Sequence, residues 1–366
     1  MFTSICNTNN TTPQKMKKVF TAFNTLCTLV SFLLLTSPTS AQTKDHFTVL
    51  QFNIWQEGTV VENGYEAIVN EIIRLDADFI ALSEVRNYNN SLFCDRIVAS
   101  LKEKGHTFYS FFSYDSGILS RYPISSHEVI FPEKDDKGSV YKAIIDFKGN
   151  KVAFYTAHLD YRNCALYLPR GYDGSTWKKL ISPITDIPTI LADNTASMRD
   201  DAIKLFLKDA AKERDQGRIV ILGGDFNEPS HLDWTMATKD LYDHQGLVIP
   251  WTVTTLLEEE GYQDAYREMF PNPLTHPGFT YPADCPHVPI SKLAWSPEAD
   301  DRDRIDYIFY SPTKGLQLEK AAIVGPKGSV AYGKRIQEKG NDPILPPASI
   351  WPTDHKAVLA VFSLVY

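Results

Sequence analysis

Apolar positions along the chain follow two different periods. Six short runs rich in β-branched and aromatic residues, at 47–54, 79–82, 152–156, 219–222, 305–310 and 357–364, have the length and composition of strands. Between them Tyr65, Ile68, Val69, Ile72 and Ile73 recur at the spacing of one apolar helix face. A second helix is expected to open at Ser197, with Asp200 as its capping-box partner and Gly217 beyond its end. Strands alternating with a few helices, and no internal repeat, predict a layered α/β or α+β single domain. Two long segments read as loop insertions: 161–194, rich in Pro, Gly and aromatics, and 276–299, rich in Pro.

The first 41 residues are a different kind of text. Lys15, Lys17 and Lys18, with no acid, precede an apolar stretch at 19–35, and a small-residue segment then closes in Thr39-Ser40-Ala41. This is the layout of a secretory signal peptide cleaved after Ala41, and reading from Met16 gives the more usual signal. The alternative is a membrane anchor, but the stretch is short of the roughly 20 apolar residues a span needs. The expectation is a secreted or periplasmic protein with no stable membrane span, consisting of residues 42–366 and monomeric.

Removing the signal takes three lysines from 37 basic residues and leaves 45 acidic ones, so 34 face 45 and the net charge is −11. That balance argues against a long polyanion groove, though not against a small phosphate ester held by a metal. Cys94, Cys164 and Cys285 remain, an odd number that permits one internal disulfide, with Cys94 and Cys164 as one pairing, and no Cys/His spacing suggests zinc.

Polar residues fall at the ends of the predicted strands. The runs at 47–52, 79–82, 152–156 and 219–222 lead into Asn53, Glu84, His158 with Asp160, and Asp225 with Asn227. Asp306 and Asp354-His355 instead stand at the starts of the last two strands, so if those run antiparallel to the first four, all these groups meet at one edge. Each has a plainer reading: Asn53 and Gly223-Gly-Asp-Phe-Asn227 as turns, Glu84 with Arg86 as a surface ion pair, Asp354-His355 as an exposed loop pair. Taken together, Glu84, Asp354, Asp225, Asn53 and Asn227 are an oxygen-rich donor set suited to Mg²⁺, Mn²⁺ or Ca²⁺. His158 and His355 are left for acid–base work or for stabilising a phosphoryl transition state.

The ordered set Gln51-Phe-Asn53, Ser83-Glu84, Gly117-Ile-Leu-Ser-Arg121, Thr156-Ala-His158-Leu-Asp160, Gly224-Asp-Phe-Asn227, Arg304-Ile-Asp-Tyr-Ile308 and Thr353-Asp-His355 resembles the endonuclease/exonuclease/phosphatase superfamily. The resemblance implies a four-layer sandwich, two mixed β-sheets packed face to face with helices on both outer faces. It also implies phosphoester cleavage by metal-activated water. Carried over by position, Glu84 is the principal metal ligand, helped by Asn53 and Asp354. Asp225 and Asn227 position the water and the phosphate, or bind a second metal. His355 is general base or phosphate clamp, oriented by Asp306. His158 serves the phosphate side, and Asp160 sits where relatives often carry Asn.

The insertion at 161–194 follows His158 and Asp160 directly and should emerge beside the site. Arg162, Arg170, Lys178 and Lys179 are candidates to meet a second anionic group, and Tyr167, Tyr172 and Trp177 to stack on a base or sugar, against the plainer reading that they pack the insertion down. With Phe279-Thr-Tyr-Pro-Ala-Asp284 as a second wall, the expected function is a Mg²⁺-dependent phosphodiesterase or phosphatase acting on a small ester. A non-specific extracellular nuclease is the alternative, and a non-catalytic binding protein on the same fold the remote one.

Overall fold

A computed structural model describes residues 44–365. The expected signal peptide, its start at Met16 and its cleavage point lie outside the described residues. One sheet runs in the order β13 (Ile344–Leu345), β10 (Leu316–Val324), β14 (Ala357–Val365), β1 (Lys44–Asn53), β2 (Phe79–Val85), β3 (Asp115–Ser120). The other runs β4 (Ile124–Phe131), β5 (Gly138–Phe147), β6 (Asn150–Leu159), β7 (Ile219–Asp225), β9 (Asp306–Tyr310), β8 (Gln263–Asp264). A separate ribbon pairs β11 (Gly328–Ala331) with β12 (Lys334–Gln337).

All six predicted strands are present, as β1, β2, β6, β7, β9 and β14. Within the sheets β1 is parallel to β2 and β6 to β7, whereas β14 is antiparallel to β1 and β9 to β7. This is the arrangement that brings strand ends and strand starts to one edge.

The layers follow from strand periodicity, since successive side chains point to opposite faces. Phe47, Val49, Phe79, Ala81, Phe154, Ile221, Ile308 and Phe362 face inward and form the core between the sheets. Leu50, Phe52, Ile80 and Leu82 face outward onto α1 (Gly64–Leu75) and α2 (Phe93–Glu103). On the other side Tyr155, Val220, Leu222 and Phe309 pack under α4 (Arg199–Asp215) and α5 (Thr252–Glu259). The result is the expected four-layer sandwich of two mixed sheets between helices. The short α6 (Ala265–Met269) contributes Ala265 and Tyr266 to the inter-sheet core.

Two local expectations change. The helix expected from Ser197 starts at Arg199 without a side-chain cap: Ser197 Oγ donates to the Asn194 carbonyl, and Asp200 pairs with Lys204 one turn on. The segment 161–194 is not all loop, because α3 (Ile187–Asn194) closes it. Asp186 caps that helix by accepting from Thr189 N at 3.0 Å, and Pro188 suits its first turn.

The sheets approach closely where the site begins. A Cβ on Gly223 would lie 2.8 Å from Ala81 Cβ on the facing sheet. Gly223→Ala should therefore overpack the interface and cost about 1–3 kcal/mol, read as a lower urea midpoint at unchanged slope; an unaltered midpoint would contradict this close fit.

Among the described residues, no helix is long and apolar enough to cross a membrane. Cys94, Cys164 and Cys285 are free, buried thiols, so the permitted disulfide is not formed.

Candidate active site

The inward-facing phase that builds the core turns polar at one edge. Phe47 and Val49 are followed on the same face of β1 by Gln51 and Asn53, Phe79 and Ala81 by Ser83, Phe154 by Thr156 and His158, and Ile221 by Gly223 and Asp225. Cross-strand register sets His158 opposite Asp225 and Asp225 opposite Asp306. Glu84 breaks the alternation: it sits in a β-bulge at φ 70°, between Ser83 and Val85 in the ladder to β3. Bulges re-aim a side chain, and this one turns Glu84 toward the others.

Two buried histidine–carboxylate pairs flank Asp225. His355 Nδ1 bonds Asp306 Oδ2 at 2.9 Å, and its Nε2 lies 3.8 Å from Asp225 Oδ2. His158 Nδ1 bonds Asp115 Oδ1 at 2.8 Å, and its Nε2 lies 3.9 Å from the same Asp225 oxygen. Burial alone would push both imidazoles down. The carboxylates outweigh it: Asp306 and Asp225 raise His355 well above the usual imidazole range, and Asp115, with Asp225 and Glu84, raises His158 to about 9. Burial pushes Asp225 up to about 6 against the pull of His355, with Asp306 adding to the rise. Asp354 rises to about 7, again mainly by burial, with the Glu84 charge adding to it.

These shifts fix a pH dependence. With folded values raised above the ordinary 3.8, Asp225 and Asp354 hold protons in the native state that the unfolded chain has released, so their contribution to stability declines as pH rises from about 4 to about 7. His158 acts in the same sense, its contribution complete below 6.5 and lost toward 9. Lys356, pushed down to about 8 by burial, opposes them only at higher pH. In EDTA the melting temperature should therefore fall between pH 5 and 8, and Asp354→Asn should flatten that fall. A flat or rising profile for the unsubstituted protein would contradict these assignments.

Glu84, His158, Asp225, Asn227, Asp354 and His355 line one cavity of about 260 Å³, which Trp177 and Tyr281 also line. Asp306 stands behind His355, fully buried. Asn227 donates from Nδ2 to the Leu159 carbonyl at 3.0 Å, and its backbone N donates to Asp225 at 2.9 Å, tying the loop after β7 to β6.

Asn53 differs from expectation. Its Nδ2 donates to Glu84 at 3.1 Å and Asp225 at 2.9 Å, while its Oδ1 accepts from Trp55 N at 2.9 Å. Reversing the amide would set two donors against each other, so Asn53 clamps the two carboxylates, while its oxygen gives one of its two lone pairs to Trp55 N.

Four candidates for substrate contact are structural instead. Asp160 is buried and accepts from Arg162 and from Met198 N. Arg162 is held by Asp160 and the Asp136 carbonyl. Arg170 is buried against Asp303 and the Arg302 carbonyl. Tyr172 is buried, and its hydroxyl accepts from Glu298 N at 3.2 Å. These side chains fasten the insertion to a cluster containing Tyr167, Ile190, Trp234 and Trp251. Trp177 alone of the five reaches the cavity. Arg86 pairs not with Glu84 but with Asp115 at 2.9 Å and Asp136 at 2.8 Å.

Asp115 and Arg199 escape sequence reading, whereas Tyr281 belongs to the 279–284 stretch expected as a second wall and does line the cavity. Asp115 orients His158 from the start of β3. Tyr281 covers His355, ring centroids 5.0 Å apart. Arg199, fully buried, donates to the carbonyls of Asp160 and Arg162 and to Asn194 Oδ1, knotting both ends of the insertion. Of the two that escape, only Asp115, beside the Gly117-Ile-Leu-Ser-Arg121 motif, carried a usable signal.

The donor set fits a divalent cation. Glu84, Asp225 and Asp354 line the same cavity, and Asp225 and Asp354 are raised by burial, with the Glu84 charge adding to the rise of Asp354, a cost that a bound cation relieves. Asp225, Asp306 and His355 also offer ligand atoms within 4.8 Å of one another. There, however, His355 would have to give up the Nε2 proton that the neighbouring Asp306 and Asp225 charges stabilise, so the Glu84 side is the better seat.

The family model described as the Endonuclease/Exonuclease/phosphatase family matches residues 50–355. The Caenorhabditis elegans protein named Uncharacterized protein F14F9.5 is 28% identical over 341 residues, covering 89% of this chain and 94% of that one. Among solved structures, D. rerio TDP2 complexed with single strand DNA product is similar in fold, with TM-score 0.50 and 16% identity over 87% of this chain and 99% of that one. The human Nocturnin catalytic domain with bound sulfate anion has TM-score 0.49 at 14% identity, covering 88% and 97%.

Proposed function

The chain belongs to the endonuclease/exonuclease/phosphatase family, phosphoester hydrolases that generally use divalent metals, and from that premise we propose that it is a secreted Mg²⁺-dependent hydrolase of a small phosphate ester. One observation carries the reading: a single carboxylate, Asp225, lies between two imidazoles, each backed by its own buried carboxylate.

At neutral pH both imidazoles are cationic, so they are donors. They are placed to hold phosphate oxygens and to protonate a leaving oxygen, each kept in one orientation by Asp306 or Asp115. Asp225, raised to about 6, is ionised at neutral pH and is the group suited to take a proton from the attacking water. Glu84 and Asp354, with Asp225, would hold the cation, which when bound supplies charge stabilisation at the phosphoryl group. Asn53 keeps Glu84 and Asp225 in register.

The small-ester reading rests on the walls. The cavity is bounded by aromatic rings, and Arg86, the guanidinium among its lining residues, is engaged by Asp115 and Asp136. Long nucleic acid needs a basic track along its backbone, and the insertion's Arg162, Arg170 and Lys179 are held by Asp160, Asp303 and Glu298. The test is hydrolysis, by the protein beginning at Gln42, of an aryl phosphodiester, an aryl phosphomonoester and plasmid DNA, with Mg²⁺ and with EDTA. Metal-dependent turnover of a small ester with DNA intact is the expected result. Faster nicking of DNA than ester turnover would replace this reading with the nuclease.

A further inference from the structure

One end of the cavity is not used by phosphate chemistry. Trp177 and Trp295 line it with ring centroids 4.9 Å apart, and Tyr167 meets Trp177 edge-on at 5.2 Å. Asp301 and Asp303 line the same cavity but are differently placed. Asp303 is neutralised by Arg170 and accepts the Trp234 indole N–H at 3.0 Å. Asp301, 1% exposed, accepts from the Ser296 backbone N–H and hydroxyl, and among the described residues no ion pair involves it.

A buried carboxylate with no ion pair of its own calls for a positive partner. Burial pushes Asp301 up to about 6 against the Ser296 hydrogen bonds and the charge of Arg170, which is itself paired with Asp303. Aromatic faces are good surfaces for a cation, best for one that has shed its water. A second anionic group on the substrate would be repelled here. A neutral base would find stacking surfaces but leave Asp301 uncompensated.

We propose that Trp177, Trp295, Tyr167 and Asp301 form a subsite for an ammonium group, so that the substrate is a zwitterionic phosphoester. The proposal deepens the hydrolase reading and rests on it for the phosphate half. It also accords with Arg162, Arg170 and Lys179 being taken up by Asp160, Asp303 and Glu298, since free cations there would compete with the ligand's own charge.

The test uses choline and its uncharged isostere 3,3-dimethylbutan-1-ol, titrated against the protein by tryptophan fluorescence. Choline should bind about tenfold or more tightly than the alcohol. Trp295→Ala, at a residue 44% exposed and so safe for folding, should bring choline down toward the alcohol, and Asp301→Asn should do the same. Equal affinities, no binding of choline, or equal loss of both ligands in Trp295→Ala would overturn the subsite. Neither probe carries phosphate, so these outcomes bear on the subsite alone; the ester panel judges the hydrolase reading separately.

Discussion

His355→Ala should lower turnover of the best ester by roughly two to four orders of magnitude, the range for a positioned proton donor or acceptor. It should also destabilise the protein, which a surface histidine would not. Asp306 is fully buried, and with His355 gone its remaining side-chain partner is Gln51 Nε2 at 3.4 Å. Stranding a buried carboxylate in this way costs about 3–5 kcal/mol. The two effects separate in the double variant: adding Asp306→Asn should restore much of the melting temperature while the rate stays low. A single variant with unchanged kcat would remove His355 from the chemistry, and a double variant that regained its rate together with its melting temperature would show that the single variant was inactive only because it unfolded.

The same pairing shows what a sequence does and does not disclose. The inner phase of each strand, apolar at one end and polar at the other, was legible because period two is written into consecutive residues, and β1, β6 and β7 carry it plainly. That is why Asn53, His158 and Asp225 could be placed at one edge before any coordinates. Of the partnerships across the sheets, His355 with Asp306 was expected from the family resemblance, and His158 with Asp115 was not. Asp115 meets His158 across 43 positions of sequence, and only its place two residues before the Gly117-Ile-Leu-Ser-Arg121 motif marks it as more than an acid at a strand start. The insertion failed in a more general way. Arg170, Tyr172 and Trp177 are of the types that bind ligands and equally of the types that anchor a loop, and only burial distinguishes them. Arg170 finds Asp303 and the Tyr172 hydroxyl finds Glu298 N, whereas Trp177 finds the cavity. Strand β4 escaped for the opposite reason: much of it is exposed at a sheet edge, so no apolar alternation marks it.

Glu84 carries the other large expectation, because the bulge that re-aims it has no purpose in the ladder itself. Its Oε2 accepts from Gln56 N at 2.9 Å and its Oε1 from Asn53, so the carboxylate is fixed rather than free to swing. Glu84→Ala should raise the Mg²⁺ concentration for half-maximal activity by at least roughly 10–100-fold, with partial recovery at high Mg²⁺ or Mn²⁺. The pH dependence of that concentration supplies a second reading. Cation binding must displace the protons that Asp354 and Asp225 hold up to about 7 and about 6, so half-saturation should move to lower Mg²⁺ as pH rises from 6 to 8. Asp354→Asn should weaken binding yet reduce that slope, since one displaced proton is gone. An Mg²⁺ requirement that is the same in Glu84→Ala as in the unsubstituted protein would move the cation to the Asp225–Asp306–His355 side, where His355 would ligate through Nε2 with Nδ1 still on Asp306, and without its Nε2 proton could no longer be the donor on which the mechanism depends.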